Sequence, residues 1–157
     1  MHWPGRTWSP GTRRPTVPRS RPERATVVDS YLELIRAVDH PAFGVHLDPA
    51  NMFYSPRQCF ESGVTIRDAC RRLGPWIASC HAKDLTIRPG LALHVDECIP
   101  GTGLLDYRAY VAALGSLGRD VPLMLEHLTS EADYRRAADF VRDIMGGTGR
   151  GVRPEWR

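Results

Sequence analysis

No run of this chain approaches the ~20 consecutive apolar residues that a membrane-crossing helix requires, so no membrane association is expected. Cysteine is sparse, and its spacing excludes the usual chemistries. Cys59, Cys70, Cys80 and Cys98 form no C-x-x-C pair and no small-domain disulfide pattern, which points to reduced, packed thiols in a cytoplasmic protein. Arg13-Arg14 is followed by Pro15, Pro18, Arg19, Arg21 and Pro22 where an export signal would carry an apolar stretch, so a twin-arginine signal is excluded. The middle of the chain also lacks positive charge. The first 25 residues and the tail after Gly146 hold nine of the 21 basic residues but only two of the 18 acidic ones, which leaves 12 against 16 between them, a net of −4. That balance argues against a nucleic-acid partner.

What is there begins at the edges. Residues 1–25 carry Pro4, Pro10, Pro15, Pro18 and Pro22 with no apolar periodicity and are expected to be disordered; residues 148–157 read as a flexible tail. Between them, residues 26–147 alternate helical and extended patterns. Tyr31, Leu34, Ile35 and Val38 predict a helix over about 30–39, capped by Asp29 or Ser30. A strand over Phe43 to Asp48 follows, then a helix over about 58–73 with Val64, Ile66, Ala69, Cys70 and Leu73 inward, stopped by Gly74-Pro75. A strand from Trp76 ends at His81, and residues 85–104 read as a long connection with a short strand or hairpin around Leu91 to Val95. Asp106 caps a helix ending at Gly118, a strand over Pro122 to Leu125 delivers Glu126, and Ser130 opens a final helix terminated by Gly146-Gly147. This alternation predicts an α/β fold with parallel strands and outer helices.

Each predicted strand ends in an ionisable group. Val45 and Leu47 alternate with His46 and Asp48 before Pro49, which cannot donate to a sheet ladder; the other two strands run into His81 and Glu126. Strand C-terminal ends share one face of a parallel sheet, where α/β folds place their sites. Asp48, His81 and Glu126 are therefore expected to converge as an oxygen and nitrogen ligand set for a divalent ion of the Mn, Mg, Co or Zn kind. Read singly, Asp48 could instead cap the turn at Pro49, and Glu126 could pair with an arginine.

Four stretches, Gly44-Val-His-Leu-Asp-Pro-Ala-Asn51, Cys80-His-Ala-Lys-Asp84, Pro100-Gly-Thr-Gly-Leu-Leu-Asp106 and Leu125-Glu-His127, together resemble the C-terminal half of the xylose isomerase-like TIM-barrel superfamily. That group includes sugar and sugar-phosphate isomerases and epimerases and the endonuclease IV type of DNA-repair enzyme. A complete (β/α) barrel typically needs about 250 residues, so the 157 here imply a partial barrel, truncated, or completed by a second copy in a homo-oligomer. The resemblance implies a divalent metal held by Asp48, His81 and Glu126, with Glu126 also the catalytic acid/base in a proton transfer through an ene-diolate. It also implies a first glutamate, just before the helix at 30–39, where this sequence is rich in arginine and proline and offers only Glu23. The implied substrate is a sugar or sugar phosphate.

Substrate contacts are expected from Asn51, Lys83 and His94. Asn51 stands where many members of the family have histidine; it can hydrogen-bond a hydroxyl but is a poor metal ligand, which weakens the phosphodiesterase reading. Lys83 and Asp84 either touch substrate or pair with each other, Asp84 leaning to a structural role. His94 lies on the loop that covers the site in similar proteins. His46 is expected as a hydrogen-bonded core residue and His127 as pointing outward toward a helix. Gly101-Thr102-Gly103 suits a phosphate cradle or a turn feeding the cap at Asp106 equally well. The readings that compete with the isomerase are a metal-dependent phosphodiesterase and a non-catalytic half-barrel.

Overall fold

A computed structural model of the chain describes residues 26–147, and the expectations for 1–25 and 148–157 lie outside the described residues. The elements run α1 (Val27–Val38), β1 (Val45–Leu47), α2 (Pro56–Phe60), α3 (Ser62–Leu73), β2 (Ile77–His81), β3 (Asp84–Arg88), β4 (His94–Cys98), α4 (Tyr107–Gly115), β5 (Leu123–Met124) and α5 (Glu131–Gly147). Strands β1, β2 and β5 form a parallel sheet with β2 central, while β3 and β4 form a separate antiparallel hairpin.

Local chemistry moves several boundaries. Thr26 and Asp29 close a capping box, the Thr26 Oγ1 accepting from the Asp29 N–H at 3.2 Å and the Asp29 carboxylate accepting from the Thr26 N–H at 2.7 Å, so α1 starts three residues before the expected position. Its buried stripe becomes Val28, Leu32 and Ile35, and Leu34 and Val38, expected inside, are exposed. The single helix expected over 58–73 is two. Ser55 caps α2 with Pro56 in its first turn, the chain leaves helical geometry at Glu61, and α3 begins at Ser62. Ile66, Ala69, Cys70 and Leu73 are buried as expected, but Val64 faces solvent. The hairpin starts at Asp84, well before Leu91, and α4 ends at Gly115, with Gly118 further on at a φ of 69°.

The sheet has one covered and one open face. Val45, Leu47, Ile77 and Cys80 are buried beneath the helices, where α3 packs between α1 and α4, and α4 packs on α5. Ile77 and Cys80 are three residues apart, which simple alternation forbids. A register shift resolves this: Val45 pairs with Ile77 but His46 with Ser79, so Ala78 is the extra residue of a bulge. Beyond the bulge, His46 lies beside Ser79 and His81 beside Met124, all on the face away from the helices. Burial holds the Cys70 thiol up to about 12 and the Cys80 thiol up to about 11, in keeping with packed, unreactive cysteines. No helix among the described residues is long and apolar enough to cross a membrane.

Candidate metal centre

The open face carries the ionisable groups because strand parity puts them there. From the pairing of Leu47 with Cys80, the next residues are Asp48 and His81, side by side; Glu126 follows Met124 at the same parity. Pro49 ends β1, and Asp48 caps the short 3-10 turn Pro49–Met52, its Oδ1 accepting from the Ala50 N–H at 3.1 Å. That leaves Oδ2 for the site. His81 Nδ1 lies 3.3 Å from Asp48 Oδ2 and 2.9 Å from Glu126 Oε1, and one ligand atom from each of the three residues falls within 4.8 Å of the other two. The three expected tips meet.

Two ligands on one ion, with bonds of about 2.1 Å, stand at most about 4 Å apart, so the set needs little movement to close on a divalent cation. By type and convergence the residues fit. His46 packs edge-on against the His81 ring, centroids 3.9 Å apart, and its Nδ1 lies 2.5 Å from Ser79 Oγ. The hydrogen bond is as expected, but His46 stands exposed on the open face and is not a core residue, because strand parity turns it away from the helices; desolvation followed by the nearby His81 lowers its proton affinity.

Lys83 is the residue whose weight was underestimated. Only 5% exposed, its ammonium lies 2.5 Å from Glu126 Oε1, 3.1 Å from Asp48 Oδ2 and 3.4 Å from Glu97 Oε1. It makes no pair with Asp84, because successive residues point to opposite sides of an extended chain. Burial alone would push the ammonium down; hydrogen bonds to Glu126 and Asp48 outweigh it and hold Lys83 above its ordinary range. The Lys83 hydrogen bond likewise holds Glu126 below the usual carboxylate range.

Asp84, almost fully buried, turns its carboxylate the other way and accepts four backbone N–H groups, from Leu85, Gly101, Gly103 and Leu105, at 2.8 to 3.0 Å. Its leaning toward a structural role is explained. The Gly101 and Gly103 donors are thereby occupied, so the glycine turn serves Asp84 and feeds the Asp106 cap, which accepts from the Ala109 N–H at 2.9 Å. Asn51 donates to Asp48 Oδ2 at 3.0 Å and so orients a candidate ligand. His94 begins β4 opposite Arg88, at the hairpin end remote from Glu97, and is not brought to the cluster.

His127 departs from expectation. Its φ of 60° turns the chain immediately after Glu126 and folds the imidazole back, Nδ1 2.9 Å from Glu97 Oε2, instead of outward toward a helix. Glu97 itself was missed; the acidic pair Asp96-Glu97 inside a strand-forming run was the available signal. Also missed were Tyr107 and Tyr110 of α4, whose hydroxyls donate to the carbonyls of Lys83 at 2.8 Å and His81 at 3.1 Å and fix the backbone that presents both side chains.

The sequence model of the family described as xylose isomerase-like TIM barrel matches residues 16–144 of this chain. The chain belongs to that family. A crystal structure of a xylose isomerase domain protein from Planctomyces limnophilus is similar to it, with a TM-score of 0.61 and 28% sequence identity. The match covers 78% of this chain and 43% of that one, so the chain spans less than half the length of this xylose isomerase-like relative. No curated protein matches. The parallel strands and outer helices are those of a xylose isomerase-like barrel over this part of its length.

Proposed function

We propose that this chain supplies the metal-holding strands of a divalent-metal-dependent sugar or sugar-phosphate isomerase or epimerase that works by proton transfer through an ene-diolate. The observation that carries this reading is the meeting of Asp48, His81 and Glu126 on the open face of the sheet, in a chain of the xylose isomerase-like family. Asp48, steadied by Asn51, and His81, steadied through Tyr110, would hold the ion with Glu126. When bound, the ion supplies electrostatic stabilisation to the charge that develops on neighbouring sugar oxygens. Glu126 would remove a proton from the carbon beside the carbonyl and return it. The Lys83 ammonium adds positive charge next to it.

Solvent hydrogen exchange is the direct test. Aldoses, ketoses and their phosphates are incubated with the protein and Mn(II), Co(II) or Mg(II) in D2O and followed by NMR. Deuterium should enter at the carbon next to the carbonyl with wild type and not with Glu126→Gln. Metal binding without exchange on any sugar would reject the catalytic reading.

One observation favours a second reading. Lys83 already pairs with both Asp48 and Glu126 from within, so a non-catalytic half-barrel of the same family would keep the same cluster without chemistry. The phosphodiesterase alternative gains no support from Asn51, which is engaged on Asp48 as an orienting donor.

A further inference from the structure

The ammonium of Lys83 stands against two of the three atoms that would ligate the ion. At 2.5 Å from Glu126 Oε1 and 3.1 Å from Asp48 Oδ2, it occupies the approach a cation would use. An ammonium and a divalent ion cannot share those oxygens, since like charges so close repel by several kcal/mol even at an effective dielectric of about 20. Three carboxylates face the lysine, from Asp48, Glu126 and Glu97, and these four side chains together carry a formal charge of −2. A divalent ion would bring this to zero with Lys83 still charged. The lysine then needs a carboxylate of its own, and Glu97 Oε1 already lies 3.4 Å from Nζ. Between them lies room to move: Lys83, Glu97, Glu126 and His127 line a cleft of about 170 Å³.

From these positions we propose that Lys83 is a resident cation which a divalent ion must displace, and that Glu97, held by His127, is the seat that receives the displaced ammonium. This rests on the metal-binding reading above and adds to it two residues that set the affinity without ligating. Asp48 and Glu126 hold either cation. Glu97 holds only the lysine, and being on the hairpin rather than the sheet it can shift toward the cleft without disturbing the triad.

Calorimetric titration with Mn(II) and Co(II) tests this on the full chain as wild type, Lys83→Met and Glu97→Gln. Removing the competitor should tighten binding by about tenfold or more, and removing the receiving charge should weaken it by about tenfold, because each change shifts the exchange by one close ion pair. Glu97→Gln keeps the size of the side chain and an acceptor for His127, so it tests the proposal even if Lys83→Met does not fold. Equal affinity in wild type and Glu97→Gln overturns the proposal and leaves the metal site standing. The absence of binding in all three folded proteins overturns both. Without metal, Lys83→Met should also melt at a lower temperature than wild type and recover on adding Mn(II), and an unchanged melt would count against a resident cation.

Discussion

At the scale of single residues, Asp84 shows how a buried carboxylate can be satisfied by backbone alone, with no ionic partner among the described residues. Each carboxylate oxygen accepts two backbone N–H groups, so desolvation is offset by four charge-assisted hydrogen bonds, and those bonds tie the glycine turn to the root of the hairpin. Asp84→Asn replaces one accepting oxygen by an N–H2 that opposes two N–H donors. The expected cost is about 3 kcal/mol, from lost charged hydrogen bonds and stranded donors, read as a lower urea midpoint at unchanged slope. Gly103→Ala should destabilise through the same contact, since a Cβ there would stand 2.4 Å from both Asp84 Oδ1 and the Leu85 carbonyl oxygen, and the latter is backbone that cannot swing aside.

At the scale of elements, α4 does more than cover the sheet. Its buried Tyr107 and Tyr110 reach through the layer to the carbonyls of Lys83 and His81, so a helix on the covered face holds the backbone of residues whose side chains meet in the charged cluster. Tyr110→Phe should lower stability by about 1–2 kcal/mol in urea unfolding, because the His81 carbonyl loses its side-chain donor in a buried setting. Much of this arrangement was legible beforehand. Period-two alternation, Pro49 and the helical stripes fixed which residues end strands, and parity then brought Asp48, His81 and Glu126 to one face. The hidden parts have physical causes. A capping box at Thr26 and a break at Glu61 depend on side-chain geometry that apolar periodicity does not encode. The bulge at Ala78 is a pairing event between strands, and the return of His127 onto Glu97 follows from one left-handed backbone residue. Glu97 reaches the site only because the hairpin folds back over the strand ends.

At the scale of the whole molecule, the charged cluster is part of what holds the parallel strands together, and this makes stability depend on acidity. Glu126 of the last strand's end is joined through Lys83 to Asp48 of the first, across β2. Because the Lys83 hydrogen bond lowers the folded proton affinity of Glu126, the unfolded chain binds a proton more readily. The stabilisation is therefore present in full above the ordinary carboxylate range, near pH 4.3, and is lost as pH falls through the depressed folded value. Asp96, lowered by its hydrogen bond to Arg88 in the hairpin, acts in the same direction. Melting temperature should accordingly decline slightly as pH falls below about 6.5, where the unfolded chain protonates His46 more readily than the folded one, and fall more steeply below about 4. In Glu126→Gln the melt should begin lower at neutral pH and fall less steeply in acid, because one proton fewer is taken up on unfolding. Parallel curves for the two proteins across that range would show that the Glu126–Lys83–Asp48 bridge adds nothing to the hold between the strands.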